Sequence, residues 1–383
     1  MSTSAEHQQT ILQPHTVFCG TVKSVKDAQK VLSTSQTIFM DCEGVELGVD
    51  GGSLSILSLG VIPPNSPQTL NIYLIDVAHL SLGHMRPVYD LLASRNVTKV
   101  VWDGRMDYSA LCHNFGVRMQ NVIDLQIVDI LSRAERDTPE QHLERFKGYI
   151  QKSILEKAEA KSRYAKLHRL SGLFQSVKEH KPSGYEQFDK VPVDHEMWDN
   201  VRPLPAEYIK YAAMDIEMIA ALYETFLSRW YITPRNTISL VVKSSRYVAF
   251  WEERPPTPAH RANFYIGNAF LPLEIIDDIP NTAPSNCNGL GRKCGRCKRM
   301  FTAASVLYTP PKPGRPRHPP YTCLVCVAVA ENFGYWAFRD RAIAKRKADA
   351  AAKASEPKAP EAKPELPNVV QDVIRSEVEG ETD

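Results

Sequence analysis

The chain has 383 residues, of which 43% are apolar, and a formal net charge of only +2 at pH 7. This length allows one large domain and a smaller one, and the composition is sufficient to fill a hydrophobic core. The apolar runs are too short and too interrupted to cross a bilayer, and the polar residues 1–14 lack the basic-then-apolar pattern of a signal peptide. We therefore expect an intracellular protein, nuclear or cytoplasmic, that does not bind a membrane.

The small net charge hides an uneven distribution along the chain. Residues 291–347 contain 13 Lys and Arg against 2 Asp and Glu, whereas residues 348–383 contain 4 against 9. The basic segment indicates contact with a polyanion, and the acidic segment after it indicates a solvated tail. Lys345-Arg346-Lys347 is consistent with a weak nuclear-localisation patch and equally with a solvated helix.

Strand and helix patterns alternate through residue 132, after an initial cluster of strands. A strand and then a helix are predicted over 15–32, and a strand over 37–40. Residues 53–61 and 70–76 alternate apolar side chains between Gly-Gly and Pro-Pro turns, which predicts two strands paired with the first. Further strands are predicted over 99–102 and 121–124, and helices over 84–93, 106–115 and 126–132. This order predicts an α/β fold with a mixed sheet flanked by helices.

The rest of the chain divides into segments of different composition. The Lys-, Glu- and His-rich stretch 133–201 predicts a helical insertion or lid, and further helices are predicted from Pro205 to residue 230 and over 237–253. The predicted boundaries are a disordered N-terminus at 1–14, an α/β domain at 15–254, a Pro-rich linker at 255–284, a cysteine module at 285–338, and a basic helix with a disordered acidic tail at 339–383.

Acidic residues occur in three segments where a divalent-metal site would need them. Asp41 and Glu43 end an apolar strand, and alternate residues of a strand share one face. Asp107 lies in the first turn of a predicted helix, and Tyr211 and Asp215 share one face of another. Mg²⁺ and Mn²⁺ prefer such oxygen ligands, and two of these ions can catalyse phosphodiester hydrolysis. Each element alone is more often a solvated surface, whereas the combination favours this chemistry.

These segments resemble the three motifs of the DnaQ-like 3′–5′ exonucleases, in the DEDDy branch. The pattern Arg202-Pro-Leu-Pro followed by Tyr211-Ala-Ala-Met-Asp215 is similar to the third motif of ribonuclease D-like proteins. The segment from Phe115 to Gln126 resembles the one that follows the second motif in the ribonuclease D and Egalitarian-like group. A related branch has His where this chain has Lys210, so the tyrosine form matches better. The resemblance covers residues 18–230 and implies a ribonuclease H-like mixed sheet.

The resemblance also implies a role for each motif residue. Asp41 would contact both metal ions. Glu43 and Asp215 would bind the ion that carries the attacking water, and Asp107 would support the second ion. Tyr211 would orient that water. The implied reaction hydrolyses RNA or single-stranded DNA from the 3′ end and releases nucleoside monophosphates.

Other acidic and basic residues near the motifs have competing interpretations. Asp103 is a rival of Asp107, which is preferred for its spacing to Phe115-Gly116. Asp124, near a strand end, is interpreted as a structural helix cap. The Lys- and Arg-rich stretch 147–169 suits contact with a phosphate backbone, although a solvated helix face is the more ordinary interpretation.

The eight cysteines form two groups. Three are scattered in apolar surroundings and are predicted to be buried thiols: Cys19, Cys42 and Cys112. Cys294-Gly-Arg-Cys297 and Cys323-Leu-Val-Cys326 are two pairs separated by 25 residues. Four thiolates in this arrangement suit tetrahedral Zn²⁺ in a structural role, because they leave no open ligand position. Cys287 is interpreted as a spare thiol or a substitute ligand.

Basic and aromatic residues surround the cysteine pairs. They are Arg292, Lys293, Arg296, Lys298, Arg299, Arg315, Arg317, Phe301, Tyr308, Tyr321 and Trp336. This composition suits contact with a nucleic-acid backbone and stacking on its bases. The aromatic rings of Phe301 and Trp336 suit the core of a small module equally well.

The sequence supports three hypotheses, in order. The first is a metal-dependent 3′–5′ exonuclease acting on single-stranded nucleic acid (RNA or DNA), with two Mg²⁺ or Mn²⁺ ions and a structural Zn²⁺. The second is a catalytically silent adaptor that uses the exonuclease fold to bind nucleic acid. The third is a zinc-module scaffold in which that fold is secondary. The zinc module and the tail are also candidate sites for a protein partner.

Overall fold

The computed structural model describes residues 11–185, 192–199, 201–263, 265–272, 275–276, 291–302, 306–308 and 321–332. All of them belong to one compact unit, Met1–Phe333. The predicted disordered N-terminus, except for residues 11–14, and the predicted acidic tail lie outside the described residues. So do Cys287, Arg315, Arg317 and Trp336, and the side chains of Arg292, Phe301 and Tyr308.

A six-stranded mixed sheet forms the centre of the domain. Its strands are β1 (Gln13–Cys19), β2 (Thr37–Glu43), β3 (Ile56–Val61), β4 (Thr69–Asp76), β5 (Thr98–Val101) and β6 (Val122–Asp124). The order across the sheet is β1-β4-β3-β2-β5-β6, and β3 runs opposite to the other five strands. The predicted α/β fold with a mixed sheet is therefore confirmed.

Helices cover the sheet and form the insertion. They are α1 (Val22–Leu32), α2 (Leu82–Ala93), α3 (Arg105–Phe115), α4 (Leu125–Arg136), α5 (Pro139–Glu144), α6 (Lys152–Leu155), α7 (Ala160–Tyr164), α8 (Leu173–His180), α9 (Ala206–Ser228), α10 (Thr237–Val248) and α11 (Pro258–Ala262). Short strands accompany the cysteine pairs, namely β7 (Gly291–Lys293), β8 (Met300–Thr302), β9 (Val306–Tyr308) and β10 (Tyr321–Cys323). Within the described ranges, no helix has the length and apolar character needed to cross a membrane.

The two faces of β2 belong to two different hydrophobic cores. Ile38, Met40 and Cys42 pack with residues of α1, α2 and α3. Phe39, which alternates with them, packs with residues of α9 on the opposite face. Because side chains alternate along a strand, Asp41 and Glu43 lie on the same face as Phe39, towards α9.

A buried ion network fixes the start of the insertion. The carboxylate of Asp129, in α4, accepts hydrogen bonds from Arg133 Nη2 at 2.5 Å and from His180 Nε2 at 2.8 Å. Burial opposes the charge of Asp129, but His180 and Arg133 outweigh it and lower the pKa of this carboxyl to about 2. Asp129, Glu179 and His180 are close enough to bind a cation together. The two guanidinium groups of Arg133 and Arg136 already neutralise Asp129, so the network is structural.

Part of the segment predicted as a Pro-rich linker packs on the α/β domain. Leu271 and Ile275 are buried against Tyr247 of α10 and against α4. The Leu271 amide also donates a hydrogen bond to the His168 carbonyl at 2.8 Å. The described residues of this segment therefore extend the core of the domain.

Gly60 in β3 allows α9 to lie close to the sheet. A Cβ atom at this position would be 2.4 Å from Cγ2 of Ile216, far inside van der Waals contact. Ile216 is fully buried and β-branched, so its side chain has little freedom to move aside. Since Ile216 directly follows Asp215 in α9, the missing side chain at Gly60 sets how closely Asp215 approaches β2.

Replacing Gly60 with alanine is expected to push α9 away from the sheet. The free energy of unfolding should fall by about 1–3 kcal/mol, the usual cost of overpacking a core. Urea unfolding followed by circular dichroism measures this change. Gly83→Ala is the matched control, because its Cβ would meet only Ser81 Oγ, at 4.0 Å, and alanine favours helix there. Equal stability of the two variants would contradict the role given to Gly60.

Candidate active site

Three of the predicted metal-binding carboxylates converge between β2 and α9. Asp41 and Glu43 come from the end of β2, and Asp215 comes from the third turn of α9. Each offers one oxygen, and these three oxygens lie within 4.8 Å of one another. Glu43 and Asp215 are each only 6% exposed. The alternation of β2 thus places both strand carboxylates against the helix that carries the third.

Tyr211 lies one helical turn before Asp215, on the same side of α9. Its ring packs edge-on against Trp198, with ring centroids 6.2 Å apart, and against His195 at 5.7 Å. Both partners belong to residues 192–199, here called the strap, which end the long insertion. The phenol ring of Tyr211 is therefore held between α9 and the strap, one helical turn from Asp215 in the carboxylate cluster.

Asp107 belongs to α3, on the opposite face of the sheet from α9, and contacts Cys42 of β2. It lies in the first turn of α3, is 6% exposed, and is not one of the three grouped carboxylates. The Cys42 thiol, between the two acidic residues of β2, hydrogen-bonds its carboxylate. Burial raises the pKa of Asp107 to about 7, although hydrogen bonds from Cys42 and from its own backbone lower it. Its Oδ1 is buried without a hydrogen-bond partner.

Asp103, the rival of Asp107, is engaged elsewhere. It binds the Arg105 guanidinium through both oxygens, at 2.6 and 2.8 Å. The Tyr247 hydroxyl donates a third hydrogen bond to Asp103 Oδ1 at 3.2 Å. Its backbone has a φ of +53°, in the left-handed region, at the turn that begins α3. These contacts give Asp103 a structural role in that turn.

The carboxylate of Asp124 binds the backbone of this same turn and also caps a helix. Its fully buried carboxylate accepts hydrogen bonds from the backbone amides of Asp103 at 3.1 Å and Gly104 at 2.9 Å. It also caps α4 by accepting from the Gln126 amide at 2.9 Å. The prediction that Asp124 is a structural helix cap is confirmed, and its contacts further fix the turn that precedes Asp107.

The strap is a feature that the sequence patterns did not reveal. Trp198 is completely buried, and its carbonyl accepts a hydrogen bond from Ser55 Oγ at 2.8 Å. The Tyr208 hydroxyl donates to the Asp194 carbonyl at 3.0 Å. Arg202 binds both the Trp198 carbonyl and the carboxylate of Asp76. Trp198 and Ser55, and likewise Arg202 and Asp76, are more than a hundred positions apart, so no local period in the sequence signals these two contacts.

The donor set of this site fits hard divalent cations. Several carboxylates face one region, and carboxylate oxygens are the ligands that Mg²⁺ and Mn²⁺ prefer. The unpartnered Oδ1 of Asp107 is a buried acceptor that a cation or its water would satisfy. The three grouped carboxylates therefore suit a hard divalent cation, and Asp107, hydrogen-bonded to Cys42 between two of them in β2, offers a further carboxylate.

The four predicted zinc ligands come together at a second site. The sulfurs of Cys294, Cys297, Cys323 and Cys326 lie within 4.8 Å of one another, and all four residues are buried. The sulfurs of Cys297 and Cys323 are 3.9 Å apart, too far for a disulfide. A tetrahedral Zn²⁺ with ordinary Zn–S bonds requires sulfurs about 3.8 Å apart. The four thiols therefore fit a tetrahedral Zn²⁺ ion.

Residues beside the cysteines contact two separate parts of the α/β domain. Arg296 donates a hydrogen bond to the Tyr265 hydroxyl at 2.6 Å, and the Arg299 guanidinium lies 4.1 Å from the ring centroid of Phe250. On the other side, Asn332 Oδ1 accepts from the Gln151 amide at 2.9 Å in the insertion. The cysteine pairs thus lie between the end of the α/β domain and its insertion.

Four of the seven Lys and Arg residues in the stretch 147–169 are paired with carboxylates. Lys147, Lys152 and Lys161 form ion pairs with Glu144, Glu156 and Glu140, and Arg163 pairs with Glu331. Most of these side chains are exposed, where such pairs contribute little to stability. This arrangement favours the interpretation of the stretch as a solvated helical surface.

A family model described as a 3′-5′ exonuclease matches residues 19–229, more than half of the chain. The chain belongs to this 3′–5′ exonuclease family, and is thus a nuclease of the hydrolase class. The predicted family is confirmed, and the mixed sheet is the ribonuclease H-like fold expected for it. No curated protein matches the chain.

Several solved structures are similar to part of the chain. Trypanosoma brucei RNase D is 19% identical, with 64% of this chain and 74% of that chain covered and a TM-score of 0.45. The catalytic core of T. brucei RRP6 is 17% identical, with 68% and 60% covered and a TM-score of 0.43. The Aedes aegypti Nibbler EXO domain is 17% identical, with 61% and 99% covered and a TM-score of 0.41.

Asp124→Asn is expected to disturb the turn before Asp107 while leaving the cluster of Asp41, Glu43 and Asp215 unchanged. An amide keeps one acceptor oxygen and places an N–H₂ donor against backbone N–H groups, so the free energy of unfolding should fall by about 1–3 kcal/mol. Thermal and urea unfolding measure this loss. Asp90→Asn, at an exposed ion pair with Arg86, should change stability by less than about 0.5 kcal/mol. A loss no larger than that of the control would refute the structural role given to Asp124 in this turn.

Proposed function

We propose that the chain hydrolyses RNA or single-stranded DNA from the 3′ end by a two-metal mechanism and releases nucleoside monophosphates. The observation that carries this proposal is the convergence of Asp41, Glu43 and Asp215, with Tyr211 one turn away. These residues come from two motifs of the family match and meet across the interface of β2 and α9. A degenerate binding domain would have no need to retain several acidic side chains in one mostly buried group.

Each residue has a specific task in this mechanism. Asp41, Glu43, Asp107 and Asp215 would hold the divalent ions, with Asp41 shared between the two, Glu43 and Asp215 on the one nearer the attacking water, and Asp107 supporting the other. When bound, the divalent ions supply the positive charge that activates water and stabilises the leaving oxygen. The hydroxyl of Tyr211 orients the attacking water by hydrogen bonding. Burial of Glu43, Asp107 and Asp215 strengthens these interactions, because charges interact more strongly where water is excluded.

The cysteine centre is proposed to hold a structural Zn²⁺ ion. Four thiolate ligands saturate a tetrahedral ion and leave no position for a substrate. Bound zinc would fix the relative positions of the two cysteine pairs and, through Arg296 and Asn332, of the segments they contact. We further propose an exonuclease domain over 15–254, onto whose core the described part of the linker 255–284 packs, and a zinc module over 285–338.

Asp41→Asn and Asp215→Asn are each expected to lower exonuclease activity about a thousandfold, which corresponds to about 4 kcal/mol of barrier. The amide carries no charge and is a poor ligand for a hard cation, while its size preserves the fold. Asp27→Asn, at an exposed ion pair on α1, is the matched control and should retain full activity. Far-UV circular dichroism establishes that all three variants are folded.

The assay follows shortening of single-stranded RNA and DNA labelled at either end, with Mg²⁺, Mn²⁺ or EDTA. T. brucei RNase D has been solved in complex with RNA U12. Stepwise, metal-dependent loss from the 3′ end would support the mechanism and identify the preferred sugar. Undiminished activity in both aspartate variants would sink the assignment of these residues. Binding without shortening by the unmodified chain would instead favour a catalytically silent adaptor.

Metal analysis of the purified chain is expected to find one zinc ion per chain. Cys326→Ser should lose this zinc and unfold at a lower temperature, because an incomplete ligand set binds Zn²⁺ more weakly. Cys112→Ser, at a buried thiol of α3 outside the centre, should keep the zinc and serves as the control. Full zinc content in Cys326→Ser, or none in the unmodified chain, would rule out the proposed site.

A further inference from the structure

We propose that His195 is a substrate-binding residue whose Nε2–H donates a hydrogen bond to a phosphate oxygen of the 3′-terminal nucleotide. This inference rests on the proposed exonuclease function and extends it. None of the three motif segments contains His195, which comes from the strap at the end of the insertion. The insertion would therefore supply part of the substrate site.

The strap is anchored firmly enough to place a side chain with precision. Fully buried Trp198 fixes one end, and Tyr208 packs edge-on against its indole with ring centroids 4.9 Å apart. The Asp194 carbonyl, directly before His195, accepts the Tyr208 hydroxyl at 3.0 Å. The side chains of Ser53 and Asp199 hydrogen-bond across from the loop after β2. His195 is thus held on both sides by neighbours that belong to the domain core.

His195 lies at the edge of the cluster formed by the carboxylates of Asp41, Glu43 and Asp215. Its Nδ1 is 3.9 Å from Glu43 Oε2, and its ring packs edge-on against Tyr211 with an interplanar angle of 83°. Glu43 and Tyr211 are two of the residues proposed to act on the scissile phosphodiester. A phosphate bound there would lie within reach of the imidazole.

The hydrogen bond from Trp198 determines which nitrogen of the His195 ring carries the proton. Trp198 Nε1–H can only donate, and it donates to His195 Nδ1 at 3.4 Å. Nδ1 is then the acceptor, so the proton of the neutral ring is on Nε2. Among the described residues no partner is recorded for Nε2, and the side chain is 59% exposed. An outward N–H donor is therefore available to a ligand.

The chemistry of this position favours a phosphate oxygen over other ligands. A group of carboxylates repels an anionic backbone, so donors at its rim are needed to hold the phosphate in register beside the ions. A hydrogen bond from an N–H to a charged oxygen is stronger than one between neutral groups. The three grouped carboxylates already offer the oxygen ligands that a hard cation prefers, so a phosphate oxygen is the ligand proposed for His195.

The test compares His195→Ala, His195→Gln and a control, His15→Ala, which removes an exposed histidine from β1. KM and kcat are measured on oligo(U) and oligo(A) RNA, and RNA affinity is measured in the inactive Asp215→Asn background. His195→Ala should raise KM and the dissociation constant about tenfold, the usual cost of a hydrogen bond to a charged group, with little change in kcat. His195→Gln, whose amide N–H₂ can replace the Nε2 donor, should recover most of the affinity.

Several results would overturn the inference. One is a KM for His195→Ala equal to that of His15→Ala on an RNA that the unmodified chain cleaves, and this leaves the exonuclease function intact. Another is an effect confined to one base, which would indicate a contact to the base. A third is an increased Mn²⁺ requirement at unchanged RNA affinity, which would make His195 a metal ligand. Absence of cleavage of both RNA and single-stranded DNA by the unmodified chain would instead refute the proposed function.

Discussion

The alternation of side chains along β2 is the constraint on which the site depends. Asp41 and Glu43 face α9, while Cys42 between them faces α3. The two faces of β2 therefore meet acidic residues of two helices on opposite sides of the sheet, Asp215 of α9 and Asp107 of α3. A shift of one residue in the pairing of β2 with β3 would exchange the faces and bury both carboxylates in the wrong core. The antiparallel pairing with β3 and the parallel pairing with β5 fix this register.

Two buried aspartates near this strand differ in how their carboxylates are satisfied. Burial raises the pKa of both Asp107 and Asp124 to about 7, so the direction of the shift alone does not separate them. Asp124 accepts three backbone N–H groups, whereas Asp107 leaves Oδ1 without a partner. A buried acceptor without a partner costs free energy unless a ligand satisfies it. The carboxylate that remains unsatisfied is the one in the second motif.

The sequence predicted the parts of the molecule that depend on local periodicity. The strands and helices through α4, the shared face of Asp41 and Glu43, and the grouping of four cysteines all follow from period or spacing. It did not predict the strap, because Trp198 and Ser55 meet only through tertiary packing. For the same reason the preference for Asp107 over Asp103 rests on spacing, whereas the pairing of Asp103 with Arg105 is visible only in the structure.

The composition around the cysteine centre suggests a nucleic-acid-binding surface, but tertiary contacts engage part of it. Basic and aromatic residues around the cysteines suited stacking and backbone contact with nucleic acid. Two of those basic residues, Arg296 and Arg299, instead lie against the rings of Tyr265 and Phe250. An arginine stacked on an aromatic ring of its own domain contributes to packing as well as charge. The centre therefore has a direct structural connection to the exonuclease domain. The strap lies beside the carboxylates, and this position favours it over the cysteine centre as a source of substrate contacts from outside the motifs.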